Sequence, residues 1–320
     1  MWSARTLWTL TLAAIAIYLF FAWDAVRTGV PLWLVLVGIP VIYFAVIVLF
    51  TVACFSVAWL FHTERPAEVR LDAYGCARLF GNELRSLLFS ASRMMFYRWA
   101  APESPPLRAD LPVLLVHGVL CNAGVWGRLM RYLRKRNIDP LYLISYGPPL
   151  IGIDAFAQQL GERIDEVLDS TGARQVVLVT HSMGGLVARA YIEKEGGAKL
   201  RRVITLAAPN HGSALAWLFP GVCLAQMRPG NAWLAALNRR TTGNPPPLVS
   251  IWSWHDSMVA PQTSSRLEGA IEVTIAGVGH NAMLGDCAVF DLVVRQLACA
   301  GVAGATAAAG SHANQGVVRS

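Results

Sequence analysis

The pattern of apolar and polar positions divides the chain into two parts. Two long apolar runs, at residues 7–23 and 30–61, occupy the N-terminal part, and the second contains no charged residue. Beyond about residue 110, short apolar runs alternate with longer stretches whose apolar positions recur at helical spacing. Such an alternation is typical of a parallel β-sheet covered by helices. The pattern therefore predicts an α/β domain preceded by two apolar helices.

The predicted elements of the C-terminal part follow from the length of each apolar run and the turn residues that flank it. Strands are expected at residues 113–116, 141–144, 176–180, 203–206, 248–252 and 273–276. Helices are expected at residues 124–136, 154–170, 183–195 and 286–298. We assign residues 111–299 to one domain. The Ala-, Gly- and Ser-rich residues 300–320 are expected to form a disordered tail.

Both N-terminal runs are long enough to cross a bilayer as helices. Asp24 and Arg27 lie between them, beside a glycine and a proline, so residues 1–65 are predicted to form a transmembrane hairpin with a short polar turn. A cleaved signal peptide is the alternative for the first run. However, no small-x-small cleavage site precedes the turn, and a second apolar run follows directly.

The distribution of arginines predicts the orientation of this hairpin. Arg5 precedes the first run and Arg65, Arg70 and Arg78 follow the second, whereas the turn carries Arg27 alone. Positive charge accumulates on the cytoplasmic side of membrane proteins. Both ends of the hairpin and the α/β domain are therefore expected in the cytoplasm, with the hairpin in a bacterial inner membrane.

A connector at residues 66–110 joins the hairpin to the α/β domain. Residues 66–99 mix apolar residues with arginines at roughly helical spacing, which predicts an amphipathic helix. Pro102, Pro105 and Pro106 mark a linker after it. Because every candidate catalytic residue follows this linker, we expect anchoring and catalysis to be separable, so that a protein starting near Val69 keeps its activity on a soluble ester.

The net charge of +7 comes without a basic tract or interleaved aromatic residues, which argues against a nucleic-acid partner and favours contact with a membrane surface. The densest basic cluster is Arg128, Arg131, Arg134, Lys135 and Arg136. It lies near the expected end of a helix, where cations complement the helix dipole. A solvated helix end and a lipid-headgroup site both remain open for this cluster.

The six cysteines form no C-x-x-C pair and have no histidines at zinc spacing. This distribution predicts neither a structural metal nor a disulfide framework. We also expect no cofactor.

A candidate nucleophile stands where a predicted strand turns into a helix. The segment His181-Ser182-Met183-Gly184-Gly185 occupies this turn, as the G-x-S-x-G nucleophile elbow does. Thr180 replaces the first glycine of that motif, at a position where strand and helix approach closely. A glycine-capped turn without chemistry is the alternative, but the flanking strand and helix favour Ser182 as the nucleophile.

The loop after the first predicted strand reads His117-Gly118-Val119 and supplies candidate oxyanion donors. In folds with a nucleophile elbow, one donor amide comes from this loop and the other from the residue after the nucleophile. We therefore expect the backbone N–H groups of Val119 and Met183 to form the oxyanion hole. His117 is expected to support the loop.

The order of a triad on this architecture is serine, acid, histidine. Asp256 and His280 each follow a predicted strand, where the ligand sites of open α/β sheets gather. We assign Asp256 as the acid that orients the imidazole and His280 as the base. The rivals are His255 as base and Asp286 or Asp291 as acid.

These residues resemble bacterial lipases and esterases of the α/β-hydrolase superfamily, over about residues 111 to 299. The motifs that carry the resemblance are His117-Gly118, the Ser182 elbow, Pro209-Asn210-His211-Gly212-Ser213, Asp256 with Val259 and Pro261, and Gly279-His280. The resemblance implies an α/β-hydrolase fold, with a mostly parallel sheet flanked by helices. It also implies triacylglycerol lipase-like activity, a structural role for His211 and a cap at about residues 214–247. Ordinary helical core is the alternative for the cap.

The leading hypothesis is a membrane-anchored serine hydrolase that cleaves a lipid or another ester through an acyl-enzyme on Ser182. Acyl transfer or thioester hydrolysis on the same triad is the second hypothesis, because an acyl-enzyme does not dictate its acceptor. The third is an inactive, membrane-tethered binding protein. The presence of Ser182, Asp256 and His280 in triad order argues against it.

Overall fold

Seven parallel strands form one sheet in a computed structural model, which describes residues 2–239, 245–305 and the backbone of 318–319. The strands are β1 (Val113–Val116), β2 (Leu141–Leu143), β3 (Val176–His181), β4 (Leu200–Leu206), β5 (Leu248–Ser253), β6 (Ile271–Ala276) and β7 (Val318–Arg319). Their order across the sheet is β2-β1-β3-β4-β5-β6-β7. All six predicted strands are present, and the predicted mostly parallel α/β fold is confirmed.

Helices cover both faces of the sheet. They are α1 (Trp2–Arg27), α2 (Leu32–Leu60), α3 (Ala73–Met95), α4 (Tyr97–Ala100), α5 (Gly127–Arg134), α6 (Ile153–Thr171), α7 (Met183–Glu195), α8 (Val222–Gln226), α9 (Ala232–Arg239) and α10 (Cys287–Ala300). One apolar core lies between the sheet and α5 and α10, and another lies between the sheet and α6 and α7. Because both faces are covered, β1 and β3 are buried along their whole length.

The N-terminal helices α1 and α2 form a hairpin, with the turn at residues 28–31. Both are long and apolar enough to cross a membrane. The Tyr18 hydroxyl donates to the Val35 carbonyl at 2.9 Å, which joins the two helices. At the opposite end, the Ser3 hydroxyl donates to the Cys121 carbonyl at 2.9 Å, and Cys54 and Ala58 of α2 are buried. Both free ends of the hairpin therefore pack on the α/β domain.

The connector forms α3, preceded by a 3₁₀ turn at Ala67–Val69 and followed by α4. Asp72 caps the N-terminus of α3 by accepting the Gly75 amide at 2.7 Å. One face of α3 buries Leu79, Glu83 and Met94, as the predicted amphipathic helix requires. The helix lies between the hairpin and the sheet domain, so the connector is a packed layer of the fold.

The C-terminal segment differs from the expected disordered tail at two places. Val302 and Ala305 are buried in the core beside α5 and α10, so the described chain stays packed through Ala305. The backbone of β7 pairs with Ile275 and Ala276 of β6. Residues 306–317 and 320 of the predicted tail, and residues 240–244 of the predicted cap, lie outside the described part of the chain.

Candidate active site

Ser182 stands on a strained turn between β3 and α7. Its φ of 54° and ψ of −128° place a non-glycine residue in a sparsely populated region. The Ser182 amide donates to the Leu206 carbonyl of the neighbouring strand at 2.8 Å, which holds the turn against the sheet. The side chain lines an apolar cavity. This is the geometry of a nucleophile elbow.

Close approaches around the elbow explain its glycines. A Cβ at Gly118 would lie 2.9 Å from the Ser182 Cβ, so only glycine fits against the serine. A Cβ at Gly185 would lie 2.5 Å from the Ala208 Cβ and 3.5 Å from the Thr180 hydroxyl. The missing side chain at Gly185 thus lets α7 pack closely on Ala208, whereas Thr180, the departure from the G-x-S-x-G pattern, lies at an ordinary contact distance.

Asp256 and His280 form a buried hydrogen-bonded pair. The Asp256 Oδ2 atom lies 2.9 Å from the His280 Nδ1 atom. The other carboxylate oxygen, Oδ1, accepts the backbone amides of Met258 and Val259, each at 2.7 Å. These two amides fix the carboxylate, which in turn orients the imidazole. His280 lines the same cavity as Ser182, so the structure brings the three predicted triad residues to one site.

Opposing effects set the pKa of His280. Burial disfavours the charged imidazole and lowers the pKa, but the charge and hydrogen bond of Asp256 and the nearby charge of Glu83 outweigh it. The pKa of His280 therefore lies above its usual value. A base held in this way accepts a proton readily during attack by the serine.

The rival base and acids are engaged elsewhere. The His255 Nδ1 atom accepts the Gly277 amide at 3.1 Å, and burial, helped by Arg65, lowers the pKa of His255 to about 4. Asp286 caps α10 through the amides of two residues of that helix. Asp291 accepts the hydroxyl of Tyr132. None of the three rivals lines the cavity beside Ser182.

Two further histidines support the site. The His117 Nδ1 atom lies 2.8 Å from the Gly118 carbonyl, and its ring packs against Tyr146, with the centroids 4.2 Å apart. Burial lowers the pKa of His117 to about 4, which keeps the ring neutral. The His181 Nε2–H donates to the His280 carbonyl at 3.1 Å. His117 thus holds the loop before Val119, as predicted, whereas the support that His181 gives to the base was not predicted.

The two predicted oxyanion donors flank the serine. Val119 follows β1 and lines the cavity. Met183 is the first residue of α7, where a backbone N–H has no acceptor within its own helix. The N-terminal end of α7 also carries positive partial charge. Both amides thus belong to positions suited to a developing negative charge.

Glu83 of α3 ties the loops of the acid and the base together, a role that the sequence pattern did not predict. Its side chain is fully buried. One oxygen accepts the Ser257 hydroxyl at 2.7 Å, the Asn281 amide at 3.0 Å and the Asn281 side chain at 2.9 Å, and the other accepts the Ala282 amide at 2.9 Å. The only sequence signal was an acidic residue on the apolar face of an amphipathic helix.

The cavity beside Ser182 has a volume of about 310 Å³ and an apolar lining. Leu87 and Met94 of α3 and Phe219, Leu224 and Met227 of the predicted cap form part of the wall. Phe50 of α2 also lines it. The hairpin, expected from sequence to anchor the protein without taking part in the chemistry, thus contributes a side chain to the cavity wall.

A second link joins the hairpin to the acid loop. The Gln262 side-chain amide donates to the Asp256 carbonyl at 3.1 Å and to the Ala58 carbonyl of α2 at 3.5 Å. Ala58 also packs against Ala214 and Ala260. The loop that carries the acid thus rests on the second apolar helix.

Within the described residues, no group of His, Cys, Asp and Glu is arranged to hold a metal ion. All six cysteines are free thiols.

Comparisons with known proteins agree with this architecture. A sequence profile of the alpha/beta hydrolase family matches residues 113–276, from the start of β1 to the end of β6. The lysosomal thioesterase PPT2-B of Xenopus laevis is 25% identical over 105 residues, which is 32% of this chain and 36% of that protein. The chain thus spans about a third of the length of this relative.

Two solved lipase structures share the fold. The mature Bacillus licheniformis lipase BlEst2 superposes with a TM-score of 0.54 at 19% identity, over 62% of this chain and 96% of that one. Aspergillus fumigatus lipase B superposes with a TM-score of 0.52 at 17% identity, over 63% of this chain and 56% of that one. In each case the superposition leaves more than a third of this chain unmatched.

Proposed function

The chain belongs to the alpha/beta hydrolase family, and we propose that it is a membrane-anchored serine hydrolase that cleaves carboxyl esters of lipids. One observation carries the proposal. Ser182 on its strained elbow and the hydrogen-bonded pair of His280 and Asp256 converge on one apolar cavity. Geometry of this kind performs acyl transfer through a serine nucleophile.

The first half of the reaction forms an acyl-enzyme. The Ser182 Oγ atom attacks the ester carbonyl carbon while the His280 Nε2 atom takes its proton, and the carbonyl electron pair moves onto oxygen. Asp256 stabilises the resulting imidazolium through the bond to Nδ1, at 2.9 Å. The amides of Val119 and Met183 receive the oxyanion. Each such donor contributes about 3 kcal/mol of transition-state stabilisation.

Collapse of this intermediate breaks the bond to the alcohol, which leaves with the proton from His280. A water molecule then attacks the acyl-enzyme by the same route, with His280 again as base. The acid product leaves, and Ser182 recovers its proton. These steps require no metal or cofactor.

The shape and lining of the cavity support an acyl chain as the substrate part bound there. Apolar walls stabilise a hydrocarbon chain by removing it from water, at roughly 0.8 kcal/mol for each buried methylene. Phe50 brings part of the second apolar helix into that wall and contacts Phe219 of the cap at 6.3 Å between ring centroids. A lipid is therefore the substrate class that this site suits.

The length of α2 supports a membrane anchor. Its 29 residues extend roughly 44 Å, whereas a bilayer core is about 30 Å thick. The length of α2 beyond the bilayer core corresponds to its C-terminal part, where Thr51, Cys54 and Ala58 are buried against the protein. The first part of α2 exposes large apolar side chains, as a lipid-facing helix does. We place the α/β domain on the cytoplasmic side because basic residues flank the outer ends of the hairpin.

Thioester hydrolysis on the same triad is the second candidate, favoured by the partial similarity to a protein named as a thioesterase. The two candidates share the acyl-enzyme and differ in the leaving group. A panel of matched oxygen esters and thioesters with the same acyl chain, assayed on the full-length protein in detergent, separates them. A higher kcat/KM on the oxygen esters is the expected result, whereas activity confined to thioesters would refute the ester assignment.

A further inference from the structure

Three arginines converge on a second cavity, where the end of α3 meets the start of α5. Arg93 of α3 and Arg128 and Arg131 of α5 line this cavity, which has a volume of about 330 Å³. Trp99, after α3, forms part of its wall. A fourth lining arginine, Arg134, is already bound: it donates to the Pro102 carbonyl at 2.8 Å and pairs with Asp139 at 3.7 Å.

The three arginines have no internal counter-ion among the described residues, since no carboxylate there lies within ion-pair distance of any of them. Burial lowers the pKa of Arg93, and the charges of Arg128, Arg131 and Arg85 lower it further. Cations that face one another without an acid are stabilised when an anion from outside enters between them.

The helix dipole does not account for this arrangement. It favours cations in the last turn of α5, where Arg131 and Arg134 stand. Arg128 occupies the first turn of the same helix, where a cation is disfavoured, and Arg93 belongs to another helix. The convergence therefore requires a different explanation from a solvated helix end.

Aromatic side chains place the cavity beside the hairpin. Trp99 is 85% exposed and stacks on Phe96, with ring centroids 6.2 Å apart. Phe96 in turn contacts Trp8 of α1 edge-on at 5.5 Å. Exposed tryptophans that adjoin a membrane helix are typical of the interface between lipid headgroups and acyl chains.

From this combination we infer that the cavity binds the phosphate of an anionic bilayer lipid, with Arg93, Arg128 and Arg131 as donors to the phosphate oxygens. Guanidinium groups suit phosphate because their planar donors match its oxygens in pairs. Trp99 packs on the glycerol region of the same lipid. The inference rests on the membrane anchor of the proposed function and is independent of its chemistry.

The test is lipid retention by full-length protein purified in detergent and examined by native mass spectrometry. All samples carry Ser182→Ala, so that the probe lipid is not hydrolysed. The probes are dioleoylphosphatidylglycerol, dioleoylglycerol with the same chains and no phosphate, and inorganic phosphate. The variants are Arg93→Gln and Arg128→Gln, with Lys135→Gln as the matched control because Lys135 lies at the end of the same helix α5 but outside the cavity.

We expect the phosphatidylglycerol to bind at least about tenfold more tightly than dioleoylglycerol, and each arginine variant to lose about tenfold, as for one charge-assisted hydrogen bond. The phosphatidylglycerol affinity of Lys135→Gln should stay within about twofold of the parent value, and so should the dioleoylglycerol affinity of every variant. Arg131→Gln, at an exposed position, serves if a half-buried variant fails to fold.

Three results would overturn the inference. Unchanged phosphatidylglycerol affinity in folded arginine variants would show that the arginines do not bind the lipid. Equal affinity for the two lipids would assign retention to acyl chains in the cavity beside position 182. Inorganic phosphate that binds as tightly as the lipid would make this a site for a free anion. Because the readout is retention, none of these results bears on ester hydrolysis.

Discussion

The Glu83 carboxylate accepts both the backbone amide of Asn281, at 3.0 Å, and its side-chain amide, at 2.9 Å. Asn281 directly follows His280, so these two bonds fix the loop that carries the proposed base. The same oxygen accepts the hydroxyl of Ser257, which directly follows Asp256. Helix α3, which lies outside the region matched by the family profile, therefore fixes the loops that carry both Asp256 and His280.

Glu83→Gln should change the pH profile as well as the stability. The charge of Glu83 helps to raise the pKa of His280, so its removal lowers that pKa. Because the base works when neutral, the acidic limb of kcat/KM should move to lower pH. The glutamine NH2 would also face a donor, which costs about 1–3 kcal/mol of stability.

Kinetics from pH 4 to 9 and thermal unfolding measure the two effects, with Glu162→Gln as a control at an exposed carboxylate on α6. An acidic limb that stays in place in folded Glu83→Gln would show that the charge does not act on His280.

The strands and the elbow are predictable from sequence because they depend on local signals. The first strand, at 113–116, and the helix at 183–195 have the predicted bounds, since apolar runs of strand length and the glycine-rich turn define their ends. Strand β4 begins at Leu200, earlier than predicted. Arg201 and Arg202 interrupt the apolar pattern, so the sequence does not indicate a strand there, but the backbone of this segment pairs with β3.

The contributions of Glu83 and Phe50 depend on tertiary contacts that local patterns do not record. An acidic residue in an arginine-rich amphipathic helix resembles a solvated position, yet Glu83 is the buried acceptor for two distant loops. Phe50, in an uninterrupted apolar helix, resembles a lipid-facing residue, yet it lines the cavity. The Ala- and Gly-containing turn at Val302 to Ala305 also packs through tertiary contacts, because Val302 and Ala305 join the core beside α5 and α10.

Phe50→Trp should shorten the preferred acyl chain. The larger ring reduces the apolar cavity, so kcat/KM on long-chain esters should fall by about tenfold or more, while acetate esters lose little. Phe44→Trp is the matched control, because Phe44 is an exposed phenylalanine of the same helix that does not line the cavity. A chain-length panel measures the effect, and parallel losses on all esters would remove Phe50 from the acyl site.

A protein that begins near Val69 should lose most of its activity on a soluble ester, in contrast to the expectation from sequence alone. Truncation removes Ala58, which packs on Ala260 and accepts the side chain of Gln262 beside Asp256. We expect a loss of more than about tenfold in kcat, as for a mispositioned catalytic group. Circular dichroism in the same detergent controls for folding. Full activity of the truncated protein would show that anchoring and catalysis are separable after all.

Asp256→Asn should lower kcat by roughly 10⁴-fold, as loss of the orienting carboxylate does in the serine-protease triad. The amide cannot both accept from the backbone and hold the His280 Nδ1–H in the productive tautomer. Asp291→Asn, at a carboxylate that does not line the cavity, is the control and should keep its activity. A loss of kcat smaller than about tenfold in Asp256→Asn would show that another carboxylate is the acid of the triad.

The assignment of Ser182 as nucleophile is tested most directly by labelling the full-length protein with a fluorophosphonate probe, followed by mass spectrometry of the labelled peptide. Ser90→Ala is the control, because Ser90 of α3 lines the same cavity. We predict one label per chain, on Ser182, in the wild type and in Ser90→Ala, and none in folded Ser182→Ala. Labelling that persists in Ser182→Ala, or that maps to another serine, would contradict the account.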